Sequence, residues 1–370
     1  MRPPHVQGSA RVLIEATTAE HARGGIGVVV AGLMSALAED SAGYEATFLL
    51  GPTTETPRSV NVQTVNLARS SVGRILYQRL LLPTTATART PSVNVIFMDS
   101  FLPLWGTPGL TGRSTVFVHD VLPLTHPEFY DSRKDVVKRL AYATIRRRRP
   151  DVVTSCDFTA LEIERTLGIR PRVARFGCGQ FTDDEADLLL TEAPQTRGNV
   201  VLYVGNLDSR KGLRSLISAV EMAAGKDASL TLAIVGNWRT ADGLALRRWV
   251  ASRRLGRVRF LGRLGKAETL DLLKHARALV YPAVAEGFGL PVLESLAVGT
   301  PTIASDIEVI RSWAGDCATY FPAGDEGALA DAILESASAQ AERRVAWGRD
   351  LSTSYRWRAF ATALLKRPLA

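Results

Sequence analysis

The sequence predicts an α/β protein built of two Rossmann-like, parallel-sheet domains. Three observations predict it. A short apolar strand, a glycine loop and an apolar helix occur in that order twice, at RVLIEA followed by HARGGIGVVVAGLMSALAED and again at NVVLYV, GNLDSRKG and LRSLISAVEMAA. That is the opening unit of nucleotide-type α/β folds. Through the second half, short apolar runs alternate with helical segments, which predicts a parallel sheet with helices on both faces. A chain of 370 residues is long enough for two domains of ordinary size.

The first half reads in order as follows. Strands are expected at 11–16, 45–50, 60–65, 93–98, 114–118, 151–155 and 172–176. Helices are expected at 28–39, 70–83, 132–149 and 158–167. Gly24, Gly25 and Gly27 make the loop between the first strand and the first helix. The loop is not GxGxxG and no acidic residue is clearly placed for a ribose, which argues against a dinucleotide dehydrogenase. The strand at 114–118 delivers His119 and Asp120 at its C-terminal end, where ligands sit in open parallel sheets. His126 has no such context. The 132–149 helix is dense in cations, with Arg133, Lys134, Lys138, Arg139 and the run from 146 to 149 set against a single acid, Asp135. Such a helix can dock on an anionic membrane, or it can be a solvated face whose last cations complement the helix dipole.

A polar linker is expected at 179–198, between a first domain at 1–178 and a second at 199–345. Its TDDEAD stretch has no strand leading into it, so a hinge or the acidic start of a short helix is expected there, not a metal-binding DxD. In the second half, strands are expected at 199–204, 230–235, 258–261, 278–281 and 302–305, and helices at 213–224, 244–255, 266–275, from 290 to about Gly299, and 345–365. Gly236 closes one strand, and Gly262 with Arg263 closes the next.

Composition narrows the function classes. Hydrophobic content of 46% and charged content of 22% are those of a soluble globular protein. No apolar run approaches a membrane span, and the N-terminus shows no secretory h-region. Cys156, Cys178 and Cys317 stand far apart, form no metal spacing and read as reduced thiols in a cytoplasmic protein. The formal net charge of +8 favours anionic partners. The cations are mostly arginines spread through both halves without an aromatic-rich basic motif, so nucleic acid is not expected.

The most informative stretch is YPAVAEGFGLPVLESLAVGTP, residues 281–301. A strand runs into a glycine loop carrying Glu286, Gly287, Phe288 and Gly289, and a helix starts at Leu290 with Pro291 near its first position. Glycines admit a ligand close to the backbone, and a helix N-terminus favours phosphate. Carboxylates on either side, Glu286 and Glu294, suit sugar hydroxyls. Upstream, Arg210 and Lys211 stand just before a helix, where cations oppose the dipole. Two such cations would offset the charges of a diphosphate.

EGFGLPVLE resembles the signature of the family 4 retaining glycosyltransferases of GT-B fold, and the HD-PL-PE block at 119–128 resembles a subgroup many of whose members transfer mannose from GDP-mannose. The resemblance runs from about Gly24 to Trp357. It implies two domains facing across a cleft, with the acceptor on the first and the nucleotide sugar mainly on the second. It also implies a last helix, at 346–370, that crosses back to the first domain. By this likeness Glu286 contacts the transferred hexose and Glu294 the ribose. Gly287, Phe288, Gly289 and Leu290 offer backbone to the diphosphate, and Arg210 and Lys211 meet its charge. Gly25 and Gly27 approach the donor, as do Gly205, Asn206, Gly236 and Arg263. His119 lies near the donor sugar and leaving phosphate, and Asp120 orients it or touches the acceptor.

The resemblance further implies retention of configuration, no metal and no cofactor beyond the nucleotide-sugar co-substrate. The acceptor would be a saccharide or lipid-linked saccharide, on a pathway to cell-surface polysaccharide or glycoconjugate. The protein would work in the cytoplasm or on the inner face of the membrane. Two alternatives stay open at this point: a nucleotide-sugar epimerase on the same fold, and a non-catalytic nucleotide-sugar binder.

Overall fold

The computed structural model describes residues 10–17, 24–40, 43–50, 60–64, 94–99, 114–130, 136–192 and 196–366. The chain divides into two compact units, Met1–Gly177 with Arg356–Ala370, and Cys178–Tyr355. Each holds one parallel sheet.

The first unit's strands are β1 (Ala10–Glu15), β2 (Tyr44–Leu50), β3 (Asn61–Thr64), β4 (Asn94–Phe97), β5 (Ser114–Phe117), β6 (Asp151–Thr154) and β7 (Arg172–Val173). They pair in the order β3-β2-β1-β4-β5-β6-β7, all parallel. The central strands read as unbroken apolar runs because both faces are covered: Leu13, Val95, Phe97, Val116 and Val152 share one buried cluster with Tyr142, Ile145 and Ile163. Helix α1 spans Gly25–Glu39, α2 Val136–Arg148 and α3 Asp157–Leu167. The expected helix at 70–83 lies outside the described residues, as does the start of the one expected at 132–149.

α1 begins three residues earlier than expected. Gly24 is its N-cap, so Gly25 and Gly27 stand in its first turn and not in a loop. Low helix propensity made the glycines look like loop; the first turn tolerates them because its N–H groups have no intrahelical partner in any case.

The second unit carries β8 (Val200–Val204), β9 (Thr231–Val235), β10 (Val258–Gly262), β11 (Ala278–Tyr281), β12 (Thr302–Ser305) and β13 (Thr319–Phe321), ordered β10-β9-β8-β11-β12-β13 and all parallel. Its helices are α4 (Asp183–Thr191), α5 (Leu213–Ala224), α6 (Ala241–Ser252), α7 (Lys266–His275), α8 (Leu290–Val298), α9 (Glu308–Ala314), α10 (Glu326–Glu335) and α11 (Ala339–Ser352). The core gathers Tyr203, Leu216, Val220, Ile234, Val280, Ile303 and Ile333.

Three sequence readings change here. The stretch expected as a linker clusters with the second unit and holds α4, whose acidic start is a capping box: the Thr182 hydroxyl accepts from the Glu185 amide, and Glu185 accepts from the Thr182 amide. Lys266 also pairs with Glu185. The elements between 306 and 344, including edge strand β13, went unread. The single last helix expected at 345–365 is two, α11 and α12 (Trp357–Leu365). Ser352, Thr353 and Ser354 break it, each hydroxyl donating to the carbonyl three residues back.

α12 belongs to the first unit. Trp357 is buried between α1 and the chain at Gly177: a Cβ at either Gly32 or Gly177 would come within 2.2 Å of its ring.

Candidate active site

In each sheet the chain reverses its winding direction at one place, between β1 and β4 in the first and between β8 and β11 in the second. Ligands of open parallel sheets bind outside the strand C-termini at such a switch point. The expected site residues fall into two groups, one at each.

At the second sheet's switch point, Glu286 is the centre. Its loop leaves β11 at Pro282 and is tied to the turn before α5 by the Val284 amide, which donates to the Arg210 carbonyl at 2.9 Å. Gly212 allows this approach: its φ is +61°, and a Cβ there would stand 2.1 Å from the Pro282 carbonyl oxygen. Gly236, at the end of β9, is needed for a similar reason, since its Cβ would stand 1.9 Å from the Gly205 carbonyl oxygen.

One oxygen of Glu286, Oε2, collects three donors: Lys211 Nζ, Arg210 Nη1 at 3.1 Å and the Tyr281 hydroxyl at 2.9 Å. Lys211 Nζ also donates to Tyr281 Oη at 2.9 Å, closing a three-membered ring of hydrogen bonds. Arg210 donates to the Ala285 carbonyl as well and pairs with Asp208 at 3.2 Å. Two cations thus face two carboxylates, and the cluster is neutral when both acids are ionised.

Burial alone would push the Glu286 pKa up. The charges of Lys211 and Arg210, with hydrogen bonds from Lys211 and Tyr281, outweigh it and hold the carboxyl at about 2. Burial, followed by the Glu286 charge, pushes the Tyr281 hydroxyl well above its usual value. Burial raises Asp208, against the pull of Arg210 and Lys211. The other oxygen of Glu286, Oε1, accepts the Gly287 amide at 3.3 Å and keeps capacity for a further hydroxyl.

Beside this cluster, Gly289 caps α8 with φ +91° and Pro291 stands in its first turn. The Val292 amide donates to the Gly289 carbonyl at 2.9 Å and Pro291 has no N–H, so Leu290 supplies the first-turn amide that has no carbonyl partner inside the helix. The Phe288 ring stacks on Trp313 at 4.8 Å, and the Trp313 indole donates to the Phe288 carbonyl at 3.0 Å. Phe288 therefore anchors the loop by its side chain.

Glu294, on the buried face of α8, lies against the chain at Gly179 and accepts the Gln180 amide at 3.0 Å. Burial raises its pKa to about 7, against that hydrogen bond and the charge of Lys266. Gly205, Asn206 and Gly236 stand at the neighbouring strand ends, where the Gly205 amide donates to the Val235 carbonyl, the Gly236 amide to the Gly262 carbonyl, and the Tyr203 hydroxyl to the Asn206 carbonyl. Arg263 is exposed and joins no ion pair among the described residues.

At the first sheet's switch point, His119 Nε2 stands 2.9 Å from the Met98 carbonyl. A carbonyl only accepts, so Nε2 is the donor in this bond. The ring rests edge-on against Phe117 at 4.8 Å. Asp120 Oδ1 accepts the Leu122 amide at 3.0 Å, starting the helical turn Leu122–Thr125. Gly25 and Gly27 begin α1, which follows β1. His126 pairs with Glu128 on the surface.

Four residues escaped sequence reading. Tyr281 looked like the end of an apolar strand, and only the fold brings it to Lys211; Asp208 looked like a loop acid, and it pairs with Arg210 two residues on. Gly212 had a signal, a glycine between a cationic turn and an apolar helix. Glu15, buried at the end of β1 and bonded to the Thr17 hydroxyl, had one too, an acid closing an apolar strand.

Comparison with known proteins places the chain among similar glycosyltransferases. The family described as Glycosyl transferases group 1 matches residues 191–350. The match covers 160 of the 370 residues. The chain is 35% identical over 183 residues to the glycogen synthase of Mycobacterium tuberculosis, covering 48% of this chain and 44% of that protein. It is 25% identical over 249 residues to the O-antigen chain mannosyltransferase B of Escherichia coli, covering 65% of each. The chain thus spans between 44% and 65% of the length of these curated relatives. Among solved structures, a sucrose-phosphate synthase from Thermosynechococcus elongatus superposes with a TM-score of 0.74 at 21% identity, over 95% of this chain and 96% of that one. The GT-B fold with two Rossmann-like sheets is therefore established, as is the expected likeness to family 4 glycosyltransferases and their mannosyltransferases. Every expected donor-side residue from Gly205 to Glu294 lies within the matched span. No helix of the described residues is long and apolar enough to cross a membrane. Among the described residues no three His, Cys, Asp or Glu side chains are grouped to hold a metal.

Proposed function

We propose that this chain is a retaining glycosyltransferase that moves a hexose from a nucleotide diphosphate sugar to a saccharide or lipid-linked saccharide acceptor, the hexose being mannose and the donor GDP-mannose. The observation that carries the reading is the Arg210, Lys211, Tyr281 and Glu286 cluster beside the glycine-capped start of α8. Mannosyl transfer draws its support from the O-antigen chain mannosyltransferase among the relatives and from the HD-PL-PE block.

In this reading the departing diphosphate shares Arg210, Lys211 and the backbone amides from Gly287 to Leu290, so its charge is met by the protein without a metal or other cofactor. Glu286 is ionised throughout the working pH range. Its Oε1 accepts a hydroxyl of the transferred hexose, and Glu294 takes a ribose hydroxyl. His119 acts at the sugar and leaving phosphate, with Asp120 shaping its turn. No side chain is assigned as a nucleophile: the acceptor attacks from the leaving-group side within an ion pair, and a covalent sugar–enzyme intermediate would refute this. The product feeds a cell-surface polysaccharide or glycoconjugate, made at the cytoplasmic side of the membrane.

A glucosyl donor is the second reading, favoured by the glycogen synthase among the relatives. A thermal-shift panel of GDP-mannose, UDP-glucose, UDP-N-acetylglucosamine and dTDP-rhamnose separates them. We expect GDP-mannose to raise Tm and the Arg210→Ala/Lys211→Ala variant to lose the shift. A shift with UDP-glucose alone would replace mannose by glucose; no shift with any donor would overturn the donor-site reading.

A further inference from the structure

The chain's positive charge is not spread evenly. Residues 239–263 contain eight arginines, no lysine and one acid, Asp242, a net +7 in 25 residues of a chain whose total is +8. They form α6 and β10, the edge strand of the second sheet, with the turn between them. Arg239, Arg247, Arg248, Arg253, Arg254, Arg259 and Arg263 are exposed, and among the described residues none of them forms an ion pair. Unpaired like charges at this density repel one another, so the surface is costly unless something anionic covers it.

Apolar side chains stand among the cations. Arg253 and Arg214 flank Trp249 at 5.1 and 5.6 Å, and Arg247 lies over Trp238 at 3.9 Å. Leu244 on α6 and Leu261 on β10 are 43% and 38% exposed. A soluble anion gains nothing from exposed leucines. A bilayer surface uses both classes, since guanidinium groups take phosphates in bidentate fashion and exposed leucines enter the headgroup boundary.

We propose that the α6–β10 edge of the second unit is a docking surface for an anionic phospholipid bilayer. It is distinct from the basic helix α2 of the first unit, and it stands whether or not the donor reading holds. Cations on an edge strand also discourage strand-to-strand association, but that role would be served equally by glutamates, which makes charge reversal the discriminating change.

The test is flotation of the full chain with phosphatidylcholine vesicles, with and without about 30 mol% phosphatidylglycerol, across a salt series. We expect binding only to the anionic vesicles, falling steeply with salt. Arg248→Glu/Arg253→Glu/Arg259→Glu should weaken it about 100-fold or more. Leu244→Ser should weaken it severalfold with the salt slope unchanged. A Lys138→Glu/Arg139→Glu variant of α2 serves as comparison. Should the triple reversal fail to fold, judged by Tm, the corresponding Arg→Gln variant replaces it, with a loss of about 10-fold expected. Wild-type protein that ignores the anionic vesicles overturns the proposal. So does a folded triple variant that binds as wild type, including the case where only the α2 variant loses binding.

Discussion

The two switch points share one topology and differ in chemistry. The second is ionic: Glu286 is buried among Lys211, Arg210 and Tyr281, and glycines bring the loops into backbone contact. The first holds a histidine and acids without such a cluster among the described residues: His119 rests on a carbonyl and a phenylalanine, Asp120 accepts the Leu122 amide, and Glu15 is buried at the end of β1. A parallel sheet therefore supplies a place for a ligand, while the side chains at the strand ends decide which charge that place accepts. It follows that substitutions at the second mouth should damage stability and binding together, and those at the first should spare the fold.

The largest effect is expected from Gly212→Ala. A left-handed φ and a Cβ 2.1 Å from the Pro282 carbonyl should cost about 3 kcal/mol or more in urea unfolding; a loss below about 1 kcal/mol would mean that the two loops are not locked. Lys211→Met comes next, because it leaves buried Glu286 with one cation fewer. We expect about 3 kcal/mol of lost stability, together with loss of the donor-induced Tm shift.

Glu294→Gln tests the second mouth by pH. The folded carboxyl titrates near 7 against an ordinary 4.5. A raised acid favours folding fully below the unfolded value, and that advantage is lost as pH climbs from about 4.5 to 7. Wild-type stability should therefore fall by up to about 3 kcal/mol across that window from this group, and the variant should lack that slope. Identical pH profiles would remove Glu294 from the argument. Tyr281→Phe should cost about 1–2 kcal/mol, with the titration of Glu286 moving up from about 2 as one of its donors disappears.

His119→Ala gives the smallest effect on stability, about 1 kcal/mol for a single half-buried hydrogen bond, while turnover in the proposed reaction should fall at least about 100-fold. A large destabilisation instead would erase the contrast between the two mouths.

Much of this was legible in the residues themselves. Apolar runs of strand length marked nearly every strand of the two sheets, because a parallel sheet buried on both faces needs continuous apolar sequence. Glu286, Gly289 and Glu294 were readable because a glycine loop before a proline-started helix is a local pattern. The split between α11 and α12 was local too, in Ser352, Thr353 and Ser354, but competed with a convincing apolar period. The concentration of arginine between 239 and 263 was present in the sequence and became meaningful once β10 proved to be an edge.

By itself, the sequence determined the alternation of strands and helices, the two-fold repeat of strand, glycine loop and helix, and the identity of the charged groups near the second mouth. Only the tertiary structure decided who pairs with whom. Lys211 and Tyr281 are 70 residues apart, and Gln180 and Glu294 are 114 apart. No periodicity reaches across such distances, because these pairs are set by strand order and not by spacing along the chain. The same holds for charge: Arg210 and Lys211 read as two free cations, and folding made them the partners that keep a buried carboxylate ionised.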